Sequence, residues 1–169
     1  EEFIHKYLQE LKEFNIGPVI SEQHRSKVLS YIELAKEEGG KILAGGNVPD
    51  KAGAWIEATV IAGLSHTSRT ATEEIFGPVV TVHKFDTDEE AIEMANCTQY
   101  GLAGSVWSKN RGREVAEKIE SGMVWVNTWL HRDLRVPFGG VKDSGVGREG
   151  GMWSIGFFSE AVNICVMED

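Results

Sequence analysis

The feature that most constrains this chain is an alternation. Amphipathic helical stretches and short β-branched runs follow one another, separated by Gly, Asn and Pro. Phe3, Tyr7, Leu11 and Phe14 recur at helical spacing, so 2–14 reads as a helix that stops at Asn15-Ile16-Gly17-Pro18. Ser21 is placed to cap a second helix to about Glu38, with Val28, Ile32 and Ala35 on one face and Gly39-Gly40 as its stop. Lys41 to Leu43, Trp55 to Ile61 and the VVTVHKF run from Val79 read as strands. Thr87 with Glu90 forms a capping box for a third helix whose apolar face is Ala91, Met94 and Ala95, and Gly101 stops it. Leu102 to Trp107 is a small-residue strand. Ser108 or Asn110 caps a fourth helix to about Glu120 with Val115, Ala116 and Ile119 inward, and Met123 to Val126 is a buried strand. Strands alternating with helices predict an α/β fold with a parallel sheet flanked by helices and right-handed crossovers. Active sites in such sheets lie at the carboxyl ends of strands.

The stretch Asn127 to Gly151 begins where the last of those strands ends. It holds Gly139, Gly140, Gly145, Gly147, Gly150 and Gly151. Each would cost about 0.5–1 kcal/mol inside a helix or strand, so they mark a loop that turns sharply or approaches something closely. Arg132, Arg135, Lys142 and Arg148 outnumber Asp133, Asp143 and Glu149 there, in a chain whose net charge is −9. A cationic, shaped loop on an acidic chain points to an anion. GVGREG at 145–150 spells the dinucleotide fingerprint GxGxxG, but the context rejects it: the preceding GGVKDS is polar and no βαβ unit fits after it.

Composition narrows the rest. With 169 residues and 41% hydrophobic content the chain is expected to form one ordinary core. No window approaches the ~18–20 apolar residues of a membrane span, and no basic-then-apolar leader opens the chain, so a soluble, cytoplasmic protein is expected. Asp plus Glu number 26 against 17 Lys plus Arg, which repels nucleic acid at long range. Cys97 and Cys165 form neither a CxxC pair nor a framework; they read as buried structural thiols in a reducing compartment, not nucleophiles. His5, His24, His66, His83 and His131 show no metal-binding spacing, so no metal is expected. Glu73-Glu74-Ile75-Phe76-Gly77-Pro78 is either a solvated loop or a turn presenting a carboxylate to a vicinal diol such as a ribose. Phe157 to Met167 reads as a strand, either the edge of the chain's own sheet or one that pairs with a second sheet or chain.

EEIFGPVVTV, then ANCTQYGLAGSVWS, then VNTW with PFGGVKDSGVGREGG resemble the carboxy-terminal part of an aldehyde dehydrogenase. The resemblance spans nearly the whole chain, with its motifs in the family's order. NTWLHRDLRVPFGG and FFSEAVNICV are most similar to the 2-hydroxymuconic and 2-aminomuconic semialdehyde dehydrogenases. The resemblance implies that Glu74 holds the nicotinamide ribose hydroxyls of NAD or NADP and that Phe76 steadies the nicotinamide. It implies that Trp129, Arg132 and Phe138 line an aldehyde tunnel, with Arg132 gripping a substrate carboxylate through its planar fork. Arg135 would do the same or face solvent. It implies that residues 157–167 join subunits, so that 1–152 is a portion of the catalytic domain and 153–169 an oligomerisation segment. The family's nucleophilic Cys, general-base Glu, oxyanion Asn and dinucleotide-binding domain would lie upstream of Glu1. At Phe14-Asn15 the chain departs from the family, which carries a longer Gly-, Asp- and Pro-bearing linker before the Gly-Pro turn. The expected activity is part of an NAD(P)-dependent oxidation of a carboxylate-bearing semialdehyde, with the chain alone inactive and not binding the cofactor unaided. The alternative is a non-catalytic remnant that binds or oligomerises with full-length relatives.

Overall fold

The computed structural model describes residues 1–168, in two compact units, Glu1–Asp86 and the stretch from Thr87 onward. The first unit runs α1 (Glu2–Glu13), α2 (Glu22–Glu37), β1 (Lys41–Ala44), β2 (Thr59–Ala62), α3 (Arg69–Thr72) and β3 (Val79–Val82). Its sheet has the order β1-β2-β3; β1 is antiparallel to β2, and β2 runs parallel to β3 from Thr59 opposite Val79 to Ala62 opposite Val82.

Helix α2 organises this unit. The Ser21 hydroxyl accepts a hydrogen bond from the His24 N–H at 3.1 Å, closing the first turn as its sequence requires. Val28, Ile32 and Ala35, spaced along one face, are completely buried. Val28 and Ile32 cluster with Ile56 and Ile75, while Ala35 packs with Ile61 and Leu64. Thr59, a polar residue inside this core, is satisfied on both sides: its hydroxyl donates to the Glu57 carbonyl and accepts from the Gly46 N–H, each at 2.9 Å. By contrast α1 buries no residue. A cleft of about 510 Å³, lined in part by Tyr7, Leu11, Phe14, Val60 and Val80, separates it from the sheet.

The second unit runs α4 (Asp88–Asn96), β4 (Tyr100–Gly101), β5 (Ala103–Val106), α5 (Gly112–Ala116), β6 (Met123–Val126), β7 (Val141–Lys142) and α6 (Gly151–Phe158). Strands β5 and β6 pair in parallel across α5, and β4 pairs antiparallel with β7. The Thr87 hydroxyl accepts from the Glu90 N–H at 3.1 Å and so caps α4 as expected.

Four expectations are corrected. A parallel sheet is present only as two parallel pairs, β2/β3 and β5/β6; β1, joined to β2 by a loop with no helix, turns back to pair with it antiparallel. The fourth helix is short, Gly112–Ala116, with the Ser108 hydroxyl accepting from the Arg111 N–H in the turn before it. Residues 151–158 are helical where a loop and strand were expected, and 159–168 pair with no strand among the described residues, so the reading as an edge of the chain's own sheet fails. The two cysteines form no disulfide among the described residues and are exposed, not buried. Among the described residues no helix is long and apolar enough to cross a membrane.

Ile32→Ala is expected to lower unfolding stability by about 2–5 kcal/mol in urea titrations followed by circular dichroism. Phe3→Ala, at an exposed position of α1, is expected to stay within about 0.5 kcal/mol.

Candidate functional site

The Glu73–Pro78 turn is built onto α2. Ile75 is part of the core cluster with Val28 and Ile32. Gly77 lies so close to α2 that an added Cβ would stand 2.6 Å from a methyl of Val28, so only glycine lets the turn seat there. The backbone is then held from outside: the Lys27 ammonium donates to the Glu74 carbonyl at 3.1 Å, and the His24 ring nitrogen Nε2 lies 2.6 Å from the Phe76 carbonyl oxygen. Phe76 adopts φ +59°, rare for an aromatic residue, and its exposed ring meets the His24 ring edge-on at 6.0 Å.

The two adjacent acids of this turn differ completely. Glu73 receives Arg69 through two hydrogen bonds, Nε to Oε1 at 2.7 Å and Nη2 to Oε2 at 3.0 Å, and the Tyr31 hydroxyl donates to Oε2 at 2.7 Å. The Arg69 guanidinium, with the Tyr31 hydroxyl behind it, holds the Glu73 carboxyl below the ordinary glutamate range. The Glu74 side chain is exposed, and its carboxylate makes no hydrogen bond or ion pair among the described residues. Glu73 is spent on the fold; Glu74 is available on a fixed backbone.

In the second unit the loop after β6 starts at the carboxyl end of the β5/β6 pair. Asn127, at φ +54°, brackets Ser108: its amide donates to the Ser108 carbonyl at 2.9 Å and its Oδ1 accepts the Ser108 N–H at 2.8 Å. Trp129 is exposed beside Trp125, ring edge against ring at 5.1 Å, while the Trp125 indole N–H donates to the His131 carbonyl at 2.8 Å. Phe138 and Glu149 face each other in an antiparallel bridge with two backbone hydrogen bonds of 2.8 Å. The Arg132 guanidinium carbon lies 4.0 Å from the centre of the Phe138 ring, and Nη2 donates to Glu149 Oε1 at 2.8 Å. Of the expected tunnel residues, Arg132 and Phe138 therefore touch, and Trp129 belongs to the tryptophan pair.

The anion cradle suggested by the loop's charge is not what the glycines build. An added Cβ on Gly150 or Gly151 would overlap the carbonyl oxygens of Val136 or Arg135, so these glycines let two arms of the loop pass close together. Arg148 donates to the carbonyls of Gly140 and Gly147, at 2.8 and 2.6 Å. Lys142 donates to the Asn96 and Thr98 carbonyls at 2.9 and 3.2 Å, at the carboxyl end of α4, and ion-pairs with Glu120 at 2.7 Å. Arg135 wraps Asp133, with Nε at 2.9 and 3.1 Å from the two carboxylate oxygens and Nη2 at 2.5 Å from Oδ2. Among the described residues Arg132 donates once, through Nη2, while Arg148 donates twice, both times through Nη1 and to backbone carbonyls.

Sequence reasoning did not find Tyr31, His24, Lys27 or Glu149. Arg69 was missed as well, although its i,i+4 spacing from Glu73 carries a signal. The others act across 17 to 52 residues of chain, a separation that carries no local signal.

Residues 6–164 match the aldehyde dehydrogenase family. The chain belongs to that family. It is 55% identical over 161 residues to a 2-aminomuconic 6-semialdehyde dehydrogenase of Pseudomonas sp, covering 91% of this chain and 33% of the relative. The human 2-aminomuconic semialdehyde dehydrogenase is 48% identical, with 90% and 33% covered. Among solved structures, a point mutant of betaine aldehyde dehydrogenase from Staphylococcus aureus in complex with NAD+ superposes with a TM-score of 0.88 at 39% identity, covering 93% of this chain and 35% of that one. A Mycobacterium tuberculosis aldehyde dehydrogenase complexed with NAD+ gives 0.82 at 41% identity, with 86% and 31% covered. The chain spans about a third of the length of these curated relatives.

Glu73 supplies a pH test. Its folded-state pKa lies below the ordinary value, so its stabilisation is present at neutral pH and lost as pH falls through the lowered folded value. The gap in urea midpoint between wild type and Glu73→Gln is expected at pH 7 and should close under acid. Glu74→Gln should show no such gap, and equal midpoints for Glu73→Gln and wild type at pH 7 would refute the division of labour.

Proposed function

We propose that this chain supplies two walls of an NAD(P)-dependent aldehyde dehydrogenase acting on a carboxylate-bearing semialdehyde. Arg132, laid on Phe138 with most of its donors open, carries the reading. An open guanidinium fork matches a carboxylate in geometry and charge. The muconic semialdehydes in the names of the relatives are aldehydes that carry such a group.

The residues of the first unit fit a nicotinamide cofactor. Glu74 offers two unoccupied carboxylate oxygens on a backbone pinned by Lys27 and His24, which suits the adjacent hydroxyls of a ribose. Phe76 offers an exposed apolar face two residues on. When bound, the cofactor accepts hydride; the part of this chain is to orient it through Glu74 and Phe76. Neither residue distinguishes NAD from NADP. Trp129 and Phe138 bound the aldehyde's path, and Arg132 fixes the far, charged end of the substrate. The thiolate chemistry of the family is supplied by residues outside this chain, so the chain alone is inactive.

A second reading is favoured by the exposure of Phe157, Phe158, Val162, Ile164 and Val166. The segment 153–169 joins subunits, so the chain associates with a copy of itself or with full-length relatives through 157–167.

The test is a chimera in which residues 6–164 replace the matching third of the Pseudomonas relative. Arg132→Ala in that chimera should raise KM for a carboxylate-bearing semialdehyde about 10- to 100-fold, as loss of a charged contact of 1.5–3 kcal/mol predicts, and leave a neutral aldehyde nearly unchanged. Equal effects on both substrates would remove the carboxylate role. The purified chain should give no NADH from NAD and aldehyde. It should co-elute with the full-length relative on size exclusion, and separate elution would sink the association reading.

A further inference from the structure

Arg132 rests on two supports that come from a single bridge. Phe138 and Glu149 are paired by two backbone hydrogen bonds of 2.8 Å; one gives its ring to the guanidinium and the other its carboxylate. The supports are not equivalent. The ring contact orients the guanidinium plane without using an N–H, whereas Glu149 takes one N–H through a single oxygen at 2.8 Å. Both partners of that ion pair are open to water, with side-chain exposures of 43% and 62%, and such a pair contributes little. Arg135 is the contrast, because its Nε and Nη2 already hold both oxygens of Asp133 in a bidentate pair.

We infer that Glu149 is a placeholder for the substrate carboxylate: while Phe138 keeps Arg132 aimed, Glu149 occupies one donor through a replaceable contact, which an incoming carboxylate exchanges for a bidentate one. The inference rests on the reading of Arg132 as the carboxylate receptor. The exchange is favourable because two parallel charge-assisted hydrogen bonds replace one, while the stack on Phe138 keeps the fork aimed. Glu149 also sets the selectivity. A neutral aldehyde has nothing to displace it with, and a monodentate anion offers no more than Glu149 already does. Removing its charge should therefore tighten binding of carboxylates, the opposite of what loss of a merely structural contact would do.

The experiment titrates the 15N-labelled chain with muconate, a dicarboxylate, at low fixed salt, reading the Arg132 side-chain Nε–Hε signal. Arg132→Gln serves to assign it. Wild type should respond, and Glu149→Gln should bind about two- to five-fold tighter, the range that release of one exposed ion pair supports. Asp143→Asn removes the same charge from the same loop, and Asp143 makes no side-chain contact with Arg132; it should change the affinity less than Glu149→Gln. If neither wild type nor Glu149→Gln responds, the receptor reading of Arg132 falls and this inference with it. If wild type responds but Glu149→Gln binds equally or more weakly, Arg132 stands and the exchange is refuted. Equal tightening in Asp143→Asn would likewise refute it, as an effect of net charge alone.

Discussion

The first unit depends on one contact, the seating of Gly77 against Val28. The Glu73–Pro78 turn can enter the groove of α2 only because residue 77 has no Cβ, and Ile75 then reaches the core beside Val28 and Ile32. Everything the turn presents follows from that. With Ile75 inward, Glu74 and Phe76 on either side of it are left outside, and Phe76 must take a positive φ to let the chain return toward β3. The cost of such a conformation, about 1–3 kcal/mol, is offset by the packing of Ile75 and the bonds from Lys27 and His24. A rigid backbone carrying an unpaired carboxylate is thus the consequence of a packing constraint, not of the acid itself.

Adjacent charges of one sign were separated the same way in both units. Glu73 and Glu74 are chemically identical, as are the guanidiniums of Arg132 and Arg135, yet in each pair the fold satisfies one and leaves the other open. Glu73 is enclosed by Arg69 and Tyr31; Arg135 is enclosed by Asp133 two residues earlier, whose carboxyl the arginine's hydrogen bonds hold below its usual range. A group whose donors or acceptors are already held in a bidentate pair has less to offer a ligand. Availability, more than charge, marks Glu74 and Arg132 as candidates.

Much of the helical architecture was legible, because α2 and α4 carry their caps and apolar spacing locally: Ser21, Thr87, Val28, Ile32 and Ala35 all occupy the places their pattern demands. Strand direction was not legible. Whether β1 runs with or against β2 depends on the loop between them, which has no periodicity. Helix α6 was missed because Gly151 and Gly156 weaken helix propensity by about 1 kcal/mol each and the aromatic residues around them favour strands. The glycines of the 139–151 loop announced close approach correctly but not to what; their partners are carbonyls of the loop's other arm. The charge of that loop was visible, yet its internal pairing depends on contacts such as Arg132 with Glu149, 17 residues apart.

The exposed apolar end of the chain raises a last physical question. Helix α6 has eight residues and none of them is buried. Isolated helices below about 12–15 residues are marginal in water, so α6 has little intrinsic reason to form. Its local side-chain bonds are the Ser154 hydroxyl accepting from the Gly150 N–H at 2.8 Å and the Ser159 hydroxyl donating to the Ile155 carbonyl at 2.5 Å. Burying a single phenylalanine or isoleucine side chain would add about 1.5–3 kcal/mol, and α6 with the segment after it exposes several. A surface covering Phe157, Phe158, Val162, Ile164 and Val166 would therefore contribute several times that amount. In the proposed association that surface belongs to a second chain; among the described residues 159–168 pair with no strand. The proposed association through this end would bury that surface and brace α6 and the segment behind it in the same step.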